Sequence, residues 1–215
     1  MDKINNVLFD LGGVVIDIDY DAMCGEFEKI GYKNMIEDYN HNFQSDFFKQ
    51  FEVGTINEHE FIKILSEKCN ANIGENRIKQ AWNSLITGAN MNIIMKLAQV
   101  SKEYKCFLIS NINPIHERKV IAEVEKYMDW IQFVSYFQNI FFSYKIGFRK
   151  PDKEIFEMIV KCQRLNVKET IYFDDSEMNT EVAKDMGFKT VLVTENSKLN
   201  MTGILSKTEI LWRSS

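Results

Sequence analysis

The chain has 215 residues, 45% of them hydrophobic and 27% charged, and carries a formal net charge of −5 at pH 7. That is enough apolar material for one sizeable domain, or a domain with an insert, around a proper core. The acidic balance and the lack of a polybasic tract argue against nucleic acid or an anionic membrane surface as a partner. No run of about 18 apolar residues is available to cross a bilayer, and the first apolar run begins too early for a signal peptide. Cys24, Cys69, Cys106 and Cys162 are scattered and form no C-x-x-C pair, so neither a disulfide framework nor a zinc site is expected. A cytoplasmic location fits best. His41, His59 and His116 show no metal-ligand spacing and are expected at the surface or as helix caps.

The chain opens on Val7-Leu8-Phe9, an apolar run that ends at Asp10 and is followed by Gly12, Gly13 and a second run, Val14-Val15. Short apolar runs bounded by glycine read as buried strands. In an open α/β sheet, ligands bind in the crevice at the carboxyl ends of the strands, so an aspartate placed there is positioned for chemistry. Ile16 to Tyr20 alternates apolar and acidic residues, a hairpin or flap signal. From Asp21 to about Gly88, Phe27 and Ile30, then Phe43, Phe47, Phe48 and Phe51, then Phe61, Ile62, Leu65 and Cys69 fall at helical spacing. Asn57 stands where a helix would need its N-cap. A second helix is expected to carry Trp82 and Leu85. No strand is expected in this stretch. A parallel crossover needs only a dozen or more residues, so about seventy imply an inserted helical subdomain. Phe47, Phe48 and Phe51 are expected in its core.

Strand and helix then alternate. Ile93, Ile94, Leu97 and Ala98 make a helix face, and Lys105 to Ile109 is a strand ending at Ser110-Asn111. A helix follows Pro114, and Ile131 to Phe137 is a short helix at most. Ile140 to Ser143 is a strand leading to Gly147-Phe148-Arg149-Lys150, where Pro151 is expected to open a helix. Thr170 to Phe173 ends at Asp174-Asp175, a helix follows with Gly187 as its C-cap, and Thr190 to Val193 is a further strand. Ile210-Leu211-Trp212 is expected to add a last short element. The expected fold is a Rossmann-like parallel sheet with helices on both faces: core over 1–18 and 89–215, helical cap over 19–88.

Four segments therefore deliver polar groups to one sheet edge: Asp10, Ser110-Asn111, the loop to Lys150, and Asp174-Asp175. Paired carboxylates suit a hard cation such as Mg²⁺, which usually takes one or two carboxylates plus substrate phosphate. Lysine and hydroxyl groups neutralise phosphoryl oxygens, and an aspartate can be the nucleophile.

The motifs Phe9-Asp10-Leu11-Gly12-Gly13-Val14, Leu108-Ile109-Ser110-Asn111, Gly147-Phe148-Arg149-Lys150-Pro151-Asp152 and Phe173-Asp174-Asp175-Ser176-Glu177-Met178-Asn179 resemble the haloacid dehalogenase superfamily along the whole chain. The first and last look nearest to its alpha-D-glucose-1-phosphate phosphatase-like branch. The resemblance implies a hydrolase of small-molecule phosphate esters that uses Mg²⁺ and an aspartyl-phosphate intermediate. It makes Asp10 nucleophile and metal ligand. Ser110 and the Asn111 amide would bind phosphate, Lys150 would steady nucleophile and phosphate, and Asp175 would be the main acidic metal ligand. Asp174 and Asn179 become auxiliary. Arg149 and Asp152 read as structural, a partner charge and a helix-start acid.

One position departs from the pattern. Phosphatases of this family usually carry a second aspartate, a general acid and base, two residues after the nucleophile. Here that residue is Gly12, which offers only its carbonyl to a metal. Two other outcomes stay open: dehalogenase or phosphonatase chemistry on the same scaffold, or a phosphate- and metal-binding module with weak turnover. The oligomeric state is not encoded in any motif.

Overall fold

The computed structural model describes residues 3–194 together with residue 203. Its centre is a five-stranded parallel sheet in the order β5-β4-β1-β6-β7. These strands are β1 (Asn6–Phe9), β4 (Lys105–Ser110), β5 (Asn139–Phe142), β6 (Thr170–Asp174) and β7 (Lys189–Leu192). The expected parallel α/β fold is present. Side chains alternate between the faces of a strand, and here both faces are apolar. Val7, Phe9, Leu108 and Phe173 enter one core cluster, while Leu8, Phe107, Ile109 and Tyr172 enter another on the opposite face. The first face is covered by α6 (Met91–Val100), α7 (Pro114–Val124) and α8 (Trp130–Val134), through Ile93, Leu97, Val120 and Phe133. The other is covered by α10 (Lys153–Gln163) and α11 (Glu177–Asp185), through Ile155, Phe156, Ile159 and Ala183. A single turn, α9 (Ser143–Ile146), follows β5.

Between β2 (Ile16–Ile18) and β3 (Ile86–Ala89) the chain leaves the sheet for five helices: α1 (Tyr20–Lys29), α2 (Met35–Asp38), α3 (Asp46–Glu52), α4 (Glu58–Lys68) and α5 (Glu75–Asn83). They enclose their own apolar cluster, which includes Phe27, Phe48, Phe51, Phe61, Leu65 and Trp82 and takes in Ile115 from α7. Phe48 and Phe51 are each 1% exposed and lie in that cluster, as their spacing predicts. Asn57 caps α4 in a full capping box with Glu60, which satisfies two otherwise orphaned helix N–H groups.

Three local expectations need correction. The stretch before Met91 does contain a strand. β3 pairs antiparallel with β2, so two short extended segments rather than one carry the chain into and out of the insert. Ile-Thr-Gly-Ala is too short and mixed to show strand periodicity, and pairing with β2 decides it. Pro151 does not open α10; the helix begins at Lys153 with Asp152 in the N-cap position, and the Lys150–Pro151 peptide is cis. It is Pro114 that stands in the first turn of its helix. His116 is not a surface residue. It is buried in α7, stacked on Trp82 of α5 with ring centroids 4.5 Å apart, and it bonds to the Trp82 carbonyl and to Asn113. The residues 210–212 lie outside the described part of the chain.

Candidate active site

The sheet reverses direction of growth at β1, with β4 on one side and β6 on the other. Phe9 is level with Leu108 and with Phe173. Asp10, Ser110 and Asp174 therefore emerge at the carboxyl ends of three adjacent strands, where an open α/β sheet leaves its crevice. The crevice opens into a cavity of about 760 Å³ between the sheet edge and the helical insert.

Lys150 joins the parts. It is 1% exposed, and its Nζ lies 2.8 Å from Asp10 Oδ1 and 2.7 Å from Asp174 Oδ2. Burial works against the ammonium, but Asp10 and Asp174 outweigh it and hold the amine protonated, above its ordinary value. Its backbone is pinned as well. The Asn111 side chain accepts from the Lys150 N–H at 2.9 Å and donates to the Lys150 carbonyl at 2.8 Å. Asn111 thus spends its side-chain amide on the lysine corner, and its backbone N–H is what it can offer an anion.

The two aspartates after β6 play different parts. Asp174 is fully buried and takes hydrogen bonds from Lys150, the Tyr172 hydroxyl, the Ser176 N–H and the Asn179 amide. Its lone pairs are occupied, which makes it the residue that positions Lys150. Asp175 is half-buried on the cavity wall, and its contact there is the imidazole of His41, 3.5 Å away. Gly13 makes room for it. With φ at +69°, a Cβ at Gly13 would lie 1.9 Å from Asp175 Oδ2, so this turn and this approach both require glycine.

Asp10 Oδ1 accepts from Lys150 and from the Leu11 N–H at 2.6 Å, while Oδ2 takes no hydrogen bond from any described residue. Burial pushes the Asp10 carboxyl up to about 8; Lys150 opposes this, and Asp174 and Asp175 add to it. One oxygen from each of Asp10, Asp174 and Asp175 lies within 4.8 Å of the others. The raised Asp10 carboxyl marks negative charge that one ammonium does not offset; the donor set fits a hard divalent cation, beside which Asp10 would be a carboxylate. With Asp174 already saturated, the ligands would be Asp10, Asp175 and a backbone carbonyl such as that of Gly12, which also lines the cavity. Ser110, 3% exposed, lines the same cavity, and its hydroxyl bonds to no described residue.

Residues outside the expected set also face the cavity: Tyr20, His41, Gln44 and Glu52 from the insert, and Arg149 from the core. Arg149 does supply a partner charge. Its partner is Glu52 of α3, at 3.1 Å. Glu52 had one signal in the sequence: a carboxylate four residues after Phe48 and next to Phe51, on the apolar side of a helix.

A family model described as haloacid dehalogenase-like hydrolase matches residues 4–187. The D-ribitol-5-phosphate phosphatase of Bacteroides thetaiotaomicron is 29% identical over 187 residues, 87% of this chain and 90% of that protein. A solved HAD-family enzyme from the same organism, in complex with magnesium and inorganic phosphate, has a TM-score of 0.79 at 31% identity, over 89% of this chain and 94% of its own. A Porphyromonas gingivalis protein predicted to be a HAD-like family hydrolase shares the fold at a TM-score of 0.81 and 24% identity, over 95% and 98% of the two chains. With the strand-end carboxylates and their lysine in place, the chain belongs to the haloacid dehalogenase-like hydrolases.

Proposed function

We propose that this protein is a Mg²⁺-dependent phosphatase that hydrolyses a small sugar or polyol phosphate through an aspartyl-phosphate on Asp10. The observation that carries this reading is the buried Lys150 ammonium bridging Asp10 and Asp174 beside Asp175. The names of the ribitol-phosphate relative and of the magnesium- and phosphate-bound neighbour support it.

Lys150 holds Asp10 by one oxygen and leaves Oδ2 to attack phosphorus. The ester P–O bond breaks, and the departing alkoxide takes its proton from a water molecule in the cavity. Ser110 and the Asn111 N–H would hold the phosphoryl oxygens while Lys150 offsets their charge. Water then attacks the phosphorus, frees inorganic phosphate and regenerates the Asp10 carboxylate. Mg²⁺ on Asp10, Asp175 and the Gly12 carbonyl would supply further charge neutralisation. The helical insert forms one wall of the cavity, and the water it keeps from the phosphate end would strengthen these contacts. Halide displacement needs no cation, so the carboxylate cluster favours phosphoryl chemistry.

Gly12 leaves the departing oxygen without the usual acid. A missing general acid typically costs about 10²–10⁴-fold. An anomeric hydroxyl, more acidic than an ordinary alcohol, would suffer less, so a graded series of leaving groups ranks a sugar 1-phosphate against a primary polyol phosphate. The direct test is a phosphate-release screen over sugar phosphates, nucleotides and aryl phosphates, with Mg²⁺, with chelator, and on Asp10→Asn. Activity should require Mg²⁺ and vanish in the variant. Equal rates for the variant and the native protein would reject the mechanism.

A further inference from the structure

The insert side of the cavity is built for uncharged polar groups. Beyond the phosphate end, its charged residues are Asp46, Glu52 and Asp152 against Lys49 and Arg149, with no excess of positive charge for a second phosphate. At its centre is a buried ion pair. Glu52 is 2% exposed and accepts from Arg149 Nε and Nη2 at 3.2 and 3.1 Å, from Tyr39 at 3.2 Å and from Gln44 at 3.2 Å. A buried ion pair is weak as a stabilising device, because desolvation consumes the Coulomb gain. Its place on a cavity wall has a better explanation in binding. Two donors there remain unspent among the described residues. Arg149 commits Nε and Nη2 to Glu52 and Gln44, and its Nη1 makes no hydrogen bond. The half-buried Tyr20 packs its ring on Tyr39 and His41, and its hydroxyl also bonds to none. That hydroxyl is pushed far up by burial, then by Glu52, Asp175 and Asp10, and so stays a donor. The ring neighbours of Tyr20 reach both ends of the cavity, Tyr39 bonding to Glu52 and His41 lying against Asp175, so it sits between the reacting carboxylates and the Glu52–Arg149 pair.

We propose that Tyr20 and Arg149, the latter held by Glu52, form a hydroxyl-reading subsite that selects monophosphates of polyhydroxylated carbon chains. The subsite rests on the phosphatase reading of the same cavity. Chain hydroxyls accept from the Arg149 Nη1 and the Tyr20 hydroxyl, while Glu52, its own lone pairs taken by Arg149, Tyr39 and Gln44, holds the guanidinium in place. A bare alkyl chain leaves those groups unpaired, which penalises its binding.

The test compares a pentitol 5-phosphate with n-pentyl phosphate, equal in carbon count and in phosphate. In the native protein with Mg²⁺, kcat/KM should favour the pentitol ester by about 10²-fold or more. Glu52→Gln should lower that ratio by about 10–100-fold and the milder Tyr20→Phe by about 3–10-fold. A merely structural role would scale both substrates together, and an unmoved ratio in both variants would overturn the proposal. Calorimetric titration of each ester into Asp10→Asn gives a readout independent of turnover. If the native protein hydrolyses neither ester but Asp10→Asn binds the pentitol ester more tightly, and Tyr20→Phe in that background removes the preference, the subsite stands and the phosphatase reading falls. Equal binding of the two esters overturns the subsite whatever the turnover.

Discussion

Replacing Lys150 with methionine tests the electrostatic frame of the site. The substitution keeps the length and apolar stem of the side chain and deletes the ammonium. Each Lys150–carboxylate pair, at 2.8 and 2.7 Å, is worth about 6 kcal/mol of gross Coulomb attraction at an effective dielectric of 20. Desolvation of three buried charges consumes most of that. Removing one partner from a buried pair typically costs about 3–5 kcal/mol, because the other charge stays behind unpaired. Asp174, fully buried, cannot turn to water for help. For a chain of this length, about 2–4 °C per kcal/mol, the variant should melt about 6–20 °C lower in chelator. Saturating Mg²⁺ at about 100 times its Kd should return about 2.7 kcal/mol, since the cation supplies positive charge to the same carboxylates. The assay is thermal denaturation of both proteins with and without Mg²⁺, alongside phosphate release. Turnover of the variant should fall at least about 10²-fold even with Mg²⁺. A variant that melts within about 2 °C of the native protein in chelator, or that ignores Mg²⁺, would refute the reasoning.

Two further outcomes follow from single residues. A Cβ at Gly12 would meet only the Ile18 methyl groups, at 3.7 Å, so an aspartate fits there. Gly12→Asp should accelerate esters of poor leaving groups by up to about 10²-fold relative to aryl phosphates, read as a flatter dependence of kcat/KM on leaving-group pKa; an unchanged slope would show that the missing acid is not what limits turnover. His116 is pushed down to about 4 by burial, its bond to the Trp82 carbonyl only partly opposing this. Above about 6.5, the unfolded value, both states are neutral and stability is full. Below it the unfolded chain takes a proton that the folded chain refuses, so stability falls with pH by about 3 kcal/mol on the way to 4. Urea unfolding of His116→Gln should show a shallower loss between pH 7 and 5 than the native protein, and parallel curves would contradict the assignment.

Much of the core could be read from the chain before it was folded. Val7 to Phe9, Lys105 to Ile109 and Thr170 to Phe173 are apolar on both faces and end in polar residues, and each is a strand ending where expected. The caps at Asn57 and the glycine after α11 are local devices that depend on neighbours within a turn. The apolar spacing that marked the insert also marked its core.

The tertiary structure decided what depends on partners far apart in sequence. Lys150 meets Asp174 and Asp10 across three chain segments, and Arg149 meets Glu52 from 97 residues away. The side-chain amide of Asn111 is spent on the backbone of Lys150, so only its backbone N–H stays available to a phosphate. Asp174 and Asp175 are adjacent and chemically identical, yet one is saturated inside the sheet edge and the other lines the cavity. His116 looked like any helix histidine until Trp82 closed over it. Periodicity and capping act over a few residues and are written in local order. The partners of a buried charge come from packing, and in this chain packing alone divided the carboxylates between holding the lysine and facing the cavity.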